Sequence, residues 1–207
     1  MLAPQCSPVG CGPRRTFAVA AFGVLLLLSG CASLPPAKPA APWLERRDQL
    51  QAIESYTLSG KIAVASADQG FNAGMDWTAQ GSTASVVLRS PLGSAISRLT
   101  FDGRQLKLSS GDTEWSGDEA ATRIASQIGF VPPVASLRYW LLGSPDPSGP
   151  AQETVDDAQR LSGLVQFGWQ LTYTDYVQWQ GQWLPRRINA QRDAVRLRLL
   201  ISRWQIP

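Results

Sequence analysis

Apolar and polar residues alternate along much of the chain from residue 56 onwards. Tyr56, Leu58, Ile62 and Val64 lie two or four positions apart, with polar or small residues between them. Because successive side chains of a strand point to opposite faces, this period of two predicts strands with one apolar face. The same pattern predicts further strands over 71–77, 84–88, 96–101, 106–108, 169–173, 184–191 and 195–201.

A period of three to four residues interrupts the strands and predicts helices. The first predicted helix covers 43–55, where apolar residues recur on one face. Ser116 and Glu119 have the spacing of a capping box and predict a second helix that ends at Gly129. A third helix is predicted over 134–142, after two prolines.

The strands and turns together indicate a single fold class. Trp204 falls out of phase with the strand before it, which predicts a β-bulge. We expect a strongly curved antiparallel sheet of about nine to eleven strands, closed or plugged by two or three helices. The large aromatic side chains on its apolar face either fill a packed core or line a cavity for an apolar ligand. The residue pattern does not decide between these two arrangements. The glycines that mark turns between the first strands are Gly70, Gly81, Gly93, Gly103 and Gly111.

Composition argues against an enzyme. The chain has 207 residues and no histidine, which excludes Ser-His and Cys-His catalysis and metal sites built on histidine. The cysteines are Cys6, Cys11 and Cys31, so nothing after residue 31 forms a disulfide or a thiolate cluster. Neither a phosphate-binding loop that ends in lysine nor a Ser-x-x-Lys motif occurs. We therefore expect no catalytic residues, no metal and no cofactor.

The beginning of the chain has the pattern of a lipoprotein leader. Arg14 and Arg15 precede a short apolar run, and the run leads into Leu-Ser-Gly-Cys at residues 28–31. This predicts a signal peptide over 1–30 and a lipidated Cys31 that carries a diacylglycerol and an N-acyl chain. Three acyl chains hold a protein firmly on a membrane, at about 0.8 kcal/mol for each buried methylene. A Pro/Ala-rich tether follows over 31–42, and the folded body covers 43–207.

Charge is uneven along the body. The formal net charge of the chain is +3. From Arg186 onwards the sequence has six arginines and one acidic residue, Asp193. Such a basic stretch, with Arg187, Arg196 and Arg198 in it, either meets anionic lipid or an acidic partner, or is a solvated strand face.

One loop carries an unexpected residue. Ser90-Pro91-Leu92-Gly93-Ser94 has the proline and glycine of a tight turn, but its middle position holds Leu92 where a polar residue is usual. A leucine there either points outwards or tucks into the core.

These features together resemble the LolB family of outer-membrane lipoprotein receptors, which belongs to the LolA/LolB-like lipoprotein localisation proteins. The resemblance covers about residues 43–204, and it rests on order and spacing more than on one motif. The segments that carry it are the lipobox at Cys31, Gly60-Lys61-Ile62, Trp77, Ser90-Pro91-Leu92-Gly93, Leu137 with Trp140 and Gly143, Gly168-Trp169 with Tyr173, Leu184-Pro185 and Trp204. Residues 144–159 do not align.

The resemblance implies an unclosed antiparallel barrel with helices as a lid over an apolar cavity. It implies that the protein takes acylated lipoproteins from the periplasmic carrier LolA, and that Leu92, presented by Pro91 and Gly93, helps to insert them into the outer membrane. Ala32 after Cys31 fits that destination. We expect a monomer that binds no nucleic acid. The residues expected in the acyl cavity are Ile62, Met75, Trp77, Val86, Leu99, Trp140, Trp169 and Leu199.

One alternative has a different physical signature. A structural or envelope-assembly lipoprotein would scaffold a partner through a sheet edge and would have a packed interior without an acyl ligand. The receptor requires a hollow.

Overall fold

A computed structural model describes residues 41–66 and 69–207. The predicted signal peptide, the lipidation site Cys31 and nearly all of the tether lie outside the described residues. In the described part the chain forms three helices and eleven strands. The helices are α1 (Ala41–Gln51), α2 (Gly117–Ile128) and α3 (Val134–Leu142).

All eleven strands form a single antiparallel sheet. Its order is β6-β5-β4-β3-β2-β1-β11-β10-β9-β8-β7, so β1 pairs with β11 at the centre and the edges are β6 and β7. The strands are β1 (Ser55–Ala65), β2 (Gly70–Gln80), β3 (Thr83–Arg89), β4 (Ala95–Phe101), β5 (Leu106–Ser110), β6 (Thr113–Ser116), β7 (Gln152–Val155), β8 (Leu161–Gln166), β9 (Trp169–Trp179), β10 (Gln182–Arg192) and β11 (Val195–Gln205). The predicted unclosed antiparallel barrel with helices is confirmed.

The chain connection explains where the helices lie. Strands β6 and β7 are consecutive along the chain but occupy opposite edges of the sheet. The segment between them contains α2 and α3. It has to cross the sheet, and it buries its apolar side chains against the inner face.

The alternation of burial defines that inner face. In β2, Ala73, Met75 and Trp77 are buried while the residues between them are more exposed. In β11 the alternation continues to Ile201 and then shifts, so that Trp204 returns to the core. The pairing of β1 with β11 skips Ser202, which is the predicted bulge.

The helices differ from their predictions at their ends. The first helix ends at Gln51, because the residues from Ser55 onwards already belong to β1. Ser116 does take the N-cap position of α2, but its side chain makes no capping hydrogen bond. The predicted capping box is therefore not formed. Gly117 follows with a φ of 58° and changes the chain direction between strand and helix. The C-terminal end of α2 is the predicted one, since Gly129 has a φ of 85° and its N–H bonds Ala125 O at 2.8 Å.

Candidate functional site

An apolar cavity of about 100 Å³ lies between the inner face of the sheet and the helical connection. Strands β1 to β5 and β11 supply its floor, and α2, α3 and the loop between them supply its roof. Among the described residues of its lining, Ser97 and Gln127 are polar and none is charged. Such a surface suits hydrocarbon and offers nothing to a charged ligand.

Six of the eight residues predicted for an acyl cavity line this one. All six stand on the sheet, where the period of two places them on the inner face. They are Ile62, Met75, Trp77, Val86, Leu99 and Leu199. Their role in acyl binding stays a prediction.

Trp140 and Trp169 do not line the cavity. Both are 1% exposed and lie in the core beside it, with ring centroids 6.4 Å apart. The Nε1–H of Trp140 donates to Oε1 of Gln166 at 2.8 Å, so this ring is fixed in place. Phe130, which does line the cavity, meets Trp169 edge to face at 5.6 Å. The two tryptophans therefore form the wall behind the lining.

The roof of the cavity is what the sequence pattern missed. Its residues come from α2, the loop 129–133 and α3, where the period of 3.6 identifies an apolar face but not what that face covers. The apolar members of the roof are Ile124, Ile128, Phe130, Pro132, Val134, Leu137 and Leu141.

Contacts between α2 and the sheet are mostly apolar. Ala120 and Ile124 are buried against Leu108 in a small cluster of their own. At the helix surface the Arg123 guanidinium lies 4.4 Å from the Trp115 ring centroid. Few polar contacts of defined geometry hold the helix on the cavity.

The volume sets a limit on what fits in this closed arrangement. A water molecule has a share of about 30 Å³ in the liquid, and a methylene group is of similar size. The cavity is therefore smaller than an acyl chain of about sixteen carbons, whose volume at this size per methylene is roughly 500 Å³. A whole chain enters only if part of the roof moves away.

The loop with Leu92 is an ordered turn that exposes its leucine. Ser90, Pro91, Leu92 and Gly93 occupy the four positions of a β-turn, closed by the Gly93 N–H to Ser90 O bond at 2.9 Å. A second bond joins Ser90 N–H to Ser94 O at 2.8 Å. Leu92 is 95% exposed, so it points outwards and does not tuck into the core.

An ion pair holds the base of that turn. Arg89 Nε lies 2.5 Å from Asp76 Oδ2, and Arg89 Nη1 donates to Gly93 O at 3.3 Å. Ser59 Oγ donates to the other carboxylate oxygen of Asp76 at 2.8 Å. The hydrogen bonds from Arg89 and then Ser59 lower the pKa of Asp76 below its usual value. The ion pair and these hydrogen bonds therefore fix the base of the turn that exposes Leu92.

Comparison with known proteins identifies the family of this chain. The family model described as outer membrane lipoprotein LolB matches residues 54–204. The chain belongs to the LolB family. The LolB family resemblance seen in the sequence is thus confirmed.

Similar curated proteins carry the same description. The chain is 37% identical over 187 residues to the outer-membrane lipoprotein LolB of Alkalilimnicola ehrlichii, covering 87% of this chain and 92% of that protein. It is 34% identical over 188 residues to the LolB of Nitrosococcus oceani, covering 88% and 94%. These LolB relatives locate the protein as a lipid-anchored lipoprotein of the outer membrane, and neither is described as an enzyme.

Solved structures share the fold of this LolB family member at low sequence identity. A LolA superfamily protein from Nitrosomonas europaea superposes with a TM-score of 0.50 at 12% identity, covering 83% of this chain and 94% of that one. A putative outer membrane lipoprotein-sorting protein domain from Vibrio parahaemolyticus gives 0.51 at 9% identity, covering 80% and 91%. In the described part of the chain, no helix has the length and apolarity to cross a bilayer.

Proposed function

We propose that this protein accepts acylated lipoproteins from the periplasmic carrier LolA, holds their acyl chains under α2, and releases them into the outer membrane. The observation that carries the proposal is the wholly uncharged cavity beneath a helix that has few polar contacts with the sheet. Membership of an outer-membrane lipoprotein family supports the destination.

Hydrocarbon chemistry explains why a receptor is needed. Transfer of an acyl chain of about sixteen carbons from an apolar environment to water costs roughly 13 kcal/mol of free energy, at about 0.8 kcal/mol per methylene. A lipoprotein with three chains therefore does not cross an aqueous compartment unprotected. Handover between two apolar sites avoids that cost.

Arriving chains displace α2 and replace its contacts with the lining, so that apolar surface stays covered throughout. The energy lost when Ile124 and Ile128 leave the cavity is offset by burial of the incoming methylenes. No nucleotide is required if each step is downhill.

The Leu92 turn acts at the second step, delivery. A leucine that is almost fully exposed on a braced turn enters the apolar boundary of a bilayer without any rearrangement of the sheet. Leu92→Glu should keep acceptance from the carrier and slow insertion into vesicles, with Leu92→Ile as the control. Equal loss of both steps would show that the leucine does not act specifically at the membrane.

Acceptance is tested by holding α2 closed. No cysteine follows residue 31, so Trp115→Cys with Arg123→Cys places a unique thiol pair across the contact between the α2 surface and β6. A short reducible crosslinker at this pair should abolish acceptance of a radiolabelled lipoprotein from the carrier, and reduction should restore it. The same variant without crosslinker is the control.

The scaffold alternative predicts the opposite results. A protein that only scaffolds a partner would bind no acylated cargo, with or without the crosslink. Depletion in the cell gives an independent answer, because loss of the receptor should leave outer-membrane lipoproteins on the carrier. Normal sorting after depletion would contradict the proposal.

A further inference from the structure

A second hollow lies on the opposite face of the sheet. It is an open groove of about 1110 Å³ that runs across the outer face from the base of the Leu92 turn to β9 and β10. We call it the outer groove. Its charged lining residues are Lys61, Arg187 and Arg198, and no acidic residue lines it.

Strand register explains both the hollow and its charge. Lys61 pairs with Gly74 on one side and with Leu200 on the other, and Leu200 pairs in turn with Arg187. Neighbouring strands are about 4.8 Å apart. Lys61 and Arg187 are two strands apart, so their Cα atoms lie roughly 10 Å from each other. Leu200 stands between the two cations and forms an apolar floor that is 38% exposed, while Gly74, on the other side of Lys61, adds no side chain to the lining.

The three cations make no ion pair with other described residues. Two carboxylates occur on the neighbouring strands, and each already has an arginine partner. Asp76 pairs with Arg89 at 2.5 Å, and Asp175 lies 3.4 Å from Arg186. The described lining of the outer groove thus carries three cations and no carboxylate, with Asp175 as the cross-strand neighbour of Arg187 on β9.

The outer groove is continuous with the Leu92 turn. Ser90 and Pro91 belong to the turn and also line the groove. An apolar tip beside unpaired cations is the arrangement by which peripheral proteins bind an anionic bilayer surface, the tip entering the boundary while the cations meet phosphates. A lipid surface fits better than a protein partner, because headgroups move laterally to meet cations spread over several strands.

We propose that the outer groove binds the phosphates of anionic lipid headgroups and so docks the body on the bilayer that holds its anchor. The proposal rests on the proposed function in one respect, that the Leu92 turn faces the bilayer.

The test uses the mature lipoprotein in vesicles of phosphatidylcholine with or without phosphatidylglycerol. Since no cysteine follows residue 31, Ser94→Cys gives a unique site for a fluorescent label beside the turn. Quenching by brominated lipid measures the docked fraction. We expect docking to increase with phosphatidylglycerol and to decrease at high salt, where the screening length shortens.

Neutral variants identify the face responsible. Lys61→Gln, Arg187→Gln and Arg198→Gln should each lower the docking equilibrium constant about fivefold, the effect of roughly one cation at an anionic surface. Arg104→Gln is the matched control, because Arg104 is exposed in the turn at the far end of β4 and should leave docking unchanged. Circular dichroism of each variant checks that it folds.

Two kinds of result would overturn the proposal, and a third would overturn the proposed function instead. A docking equilibrium constant that is unchanged in the groove variants, or that decreases equally in Arg104→Gln, would show that this face does not bind lipid. Groove variants that dock normally but accept cargo poorly from the carrier without vesicles would assign the outer groove to an acidic protein surface. A wild-type protein that docks but accepts no cargo would contradict the proposed function and leave the groove result intact.

Discussion

The two helices of the crossing connection are held on the sheet in different ways. Around α3, Tyr173 donates to Trp140 O at 3.0 Å, and Tyr56 donates to Arg138 O at 2.6 Å. The Ser136 hydroxyl also donates to Asp146 Oδ2 at 2.7 Å. Around α2 the comparable contact among the described residues is one bond of 3.3 Å, from Gln69 Nε2 to Ser126 O.

The difference suggests which part of the roof the proposed function would open. Apolar contacts can be exchanged for contacts with hydrocarbon, whereas a broken buried hydrogen bond leaves polar groups unpaired. We therefore expect the cavity to have one fixed side at α3 and one movable side at α2. Hydrocarbon is then expected to enter on the movable side without disturbing the core around Trp140.

Truncation of one leucine or isoleucine on each helix gives the largest contrast. Leu142→Ala on α3 should lower the free energy of unfolding by about 4 kcal/mol, because the side chain is fully buried and its surroundings are fixed. Ile124→Ala on α2 should cost about 2 kcal/mol, since this residue borders an existing cavity. Urea denaturation measures both, and equal losses would remove the distinction.

Gln166 is the polar centre of the fixed side. Its amide oxygen accepts from Trp140 Nε1 and from Asp146 N–H, and its amide nitrogen donates to the carbonyls of Asp146 and Gly149. Gln166→Leu should destabilise the protein by about 3 kcal/mol because it leaves these buried groups unpaired. Gln191→Leu, at an exposed position of β10, is the control and should be nearly neutral. A small effect at Gln166 would mean that water satisfies the groups.

Filling the cavity should separate stability from function. Val86→Ile adds one methylene to the lining and should raise the free energy of unfolding by about 0.8 kcal/mol. The same variant should reduce acceptance of acylated cargo, because less space remains under α2. Val177→Ile, half exposed on β9 and outside the cavity, should change neither quantity. An increase in acceptance would contradict the placement of the acyl chains.

The smallest effect concerns the support of Leu92. The lowered pKa of Asp76 means that its stabilisation is complete above the unfolded pKa and is lost as the pH falls through the folded pKa. The carboxylate and Arg89 are both partly exposed, so the pair contributes less than about 1 kcal/mol. Amide shifts of Ser90, Leu92, Gly93 and Ser94 should follow the carboxyl titration in acid, and Asp76→Asn should abolish the dependence. Unchanged shifts would show that Arg89 braces the turn alone.

The sequence was most informative where one local pattern decides the structure. The period of two assigned Ile62, Met75 and Leu199 to the inner face, and the shift at Trp204 located the bulge. The pattern missed β6, β7 and β8, which are short and rich in polar or small residues. Strands of this kind form because neighbouring strands offer backbone partners, and no local signal reports that.

The site was less predictable because it depends on contacts between distant segments. Trp140 and Trp169 are apolar and lie near the cavity, but hydrogen bonding to Gln166 and packing beneath Phe130 put them behind its wall. The unaligned segment 144–159 includes Ser144 and Asp146, which are buried beside α3. Neither the roof nor the outer groove follows from a periodicity, since each requires the register of several strands.

Glycines stand at the two ends of α2. Gly117 and Gly129 both have left-handed backbones, so rotation at either end costs little, and the twelve-residue helix that begins at Gly117 is about 18 Å long. Because β6 adjoins one end and α3 follows the other, the proposed opening of α2 would be that of a hinged flap attached at both ends. We expect such a flap to close again once cargo leaves, since its own apolar face is then the nearest cover for the lining.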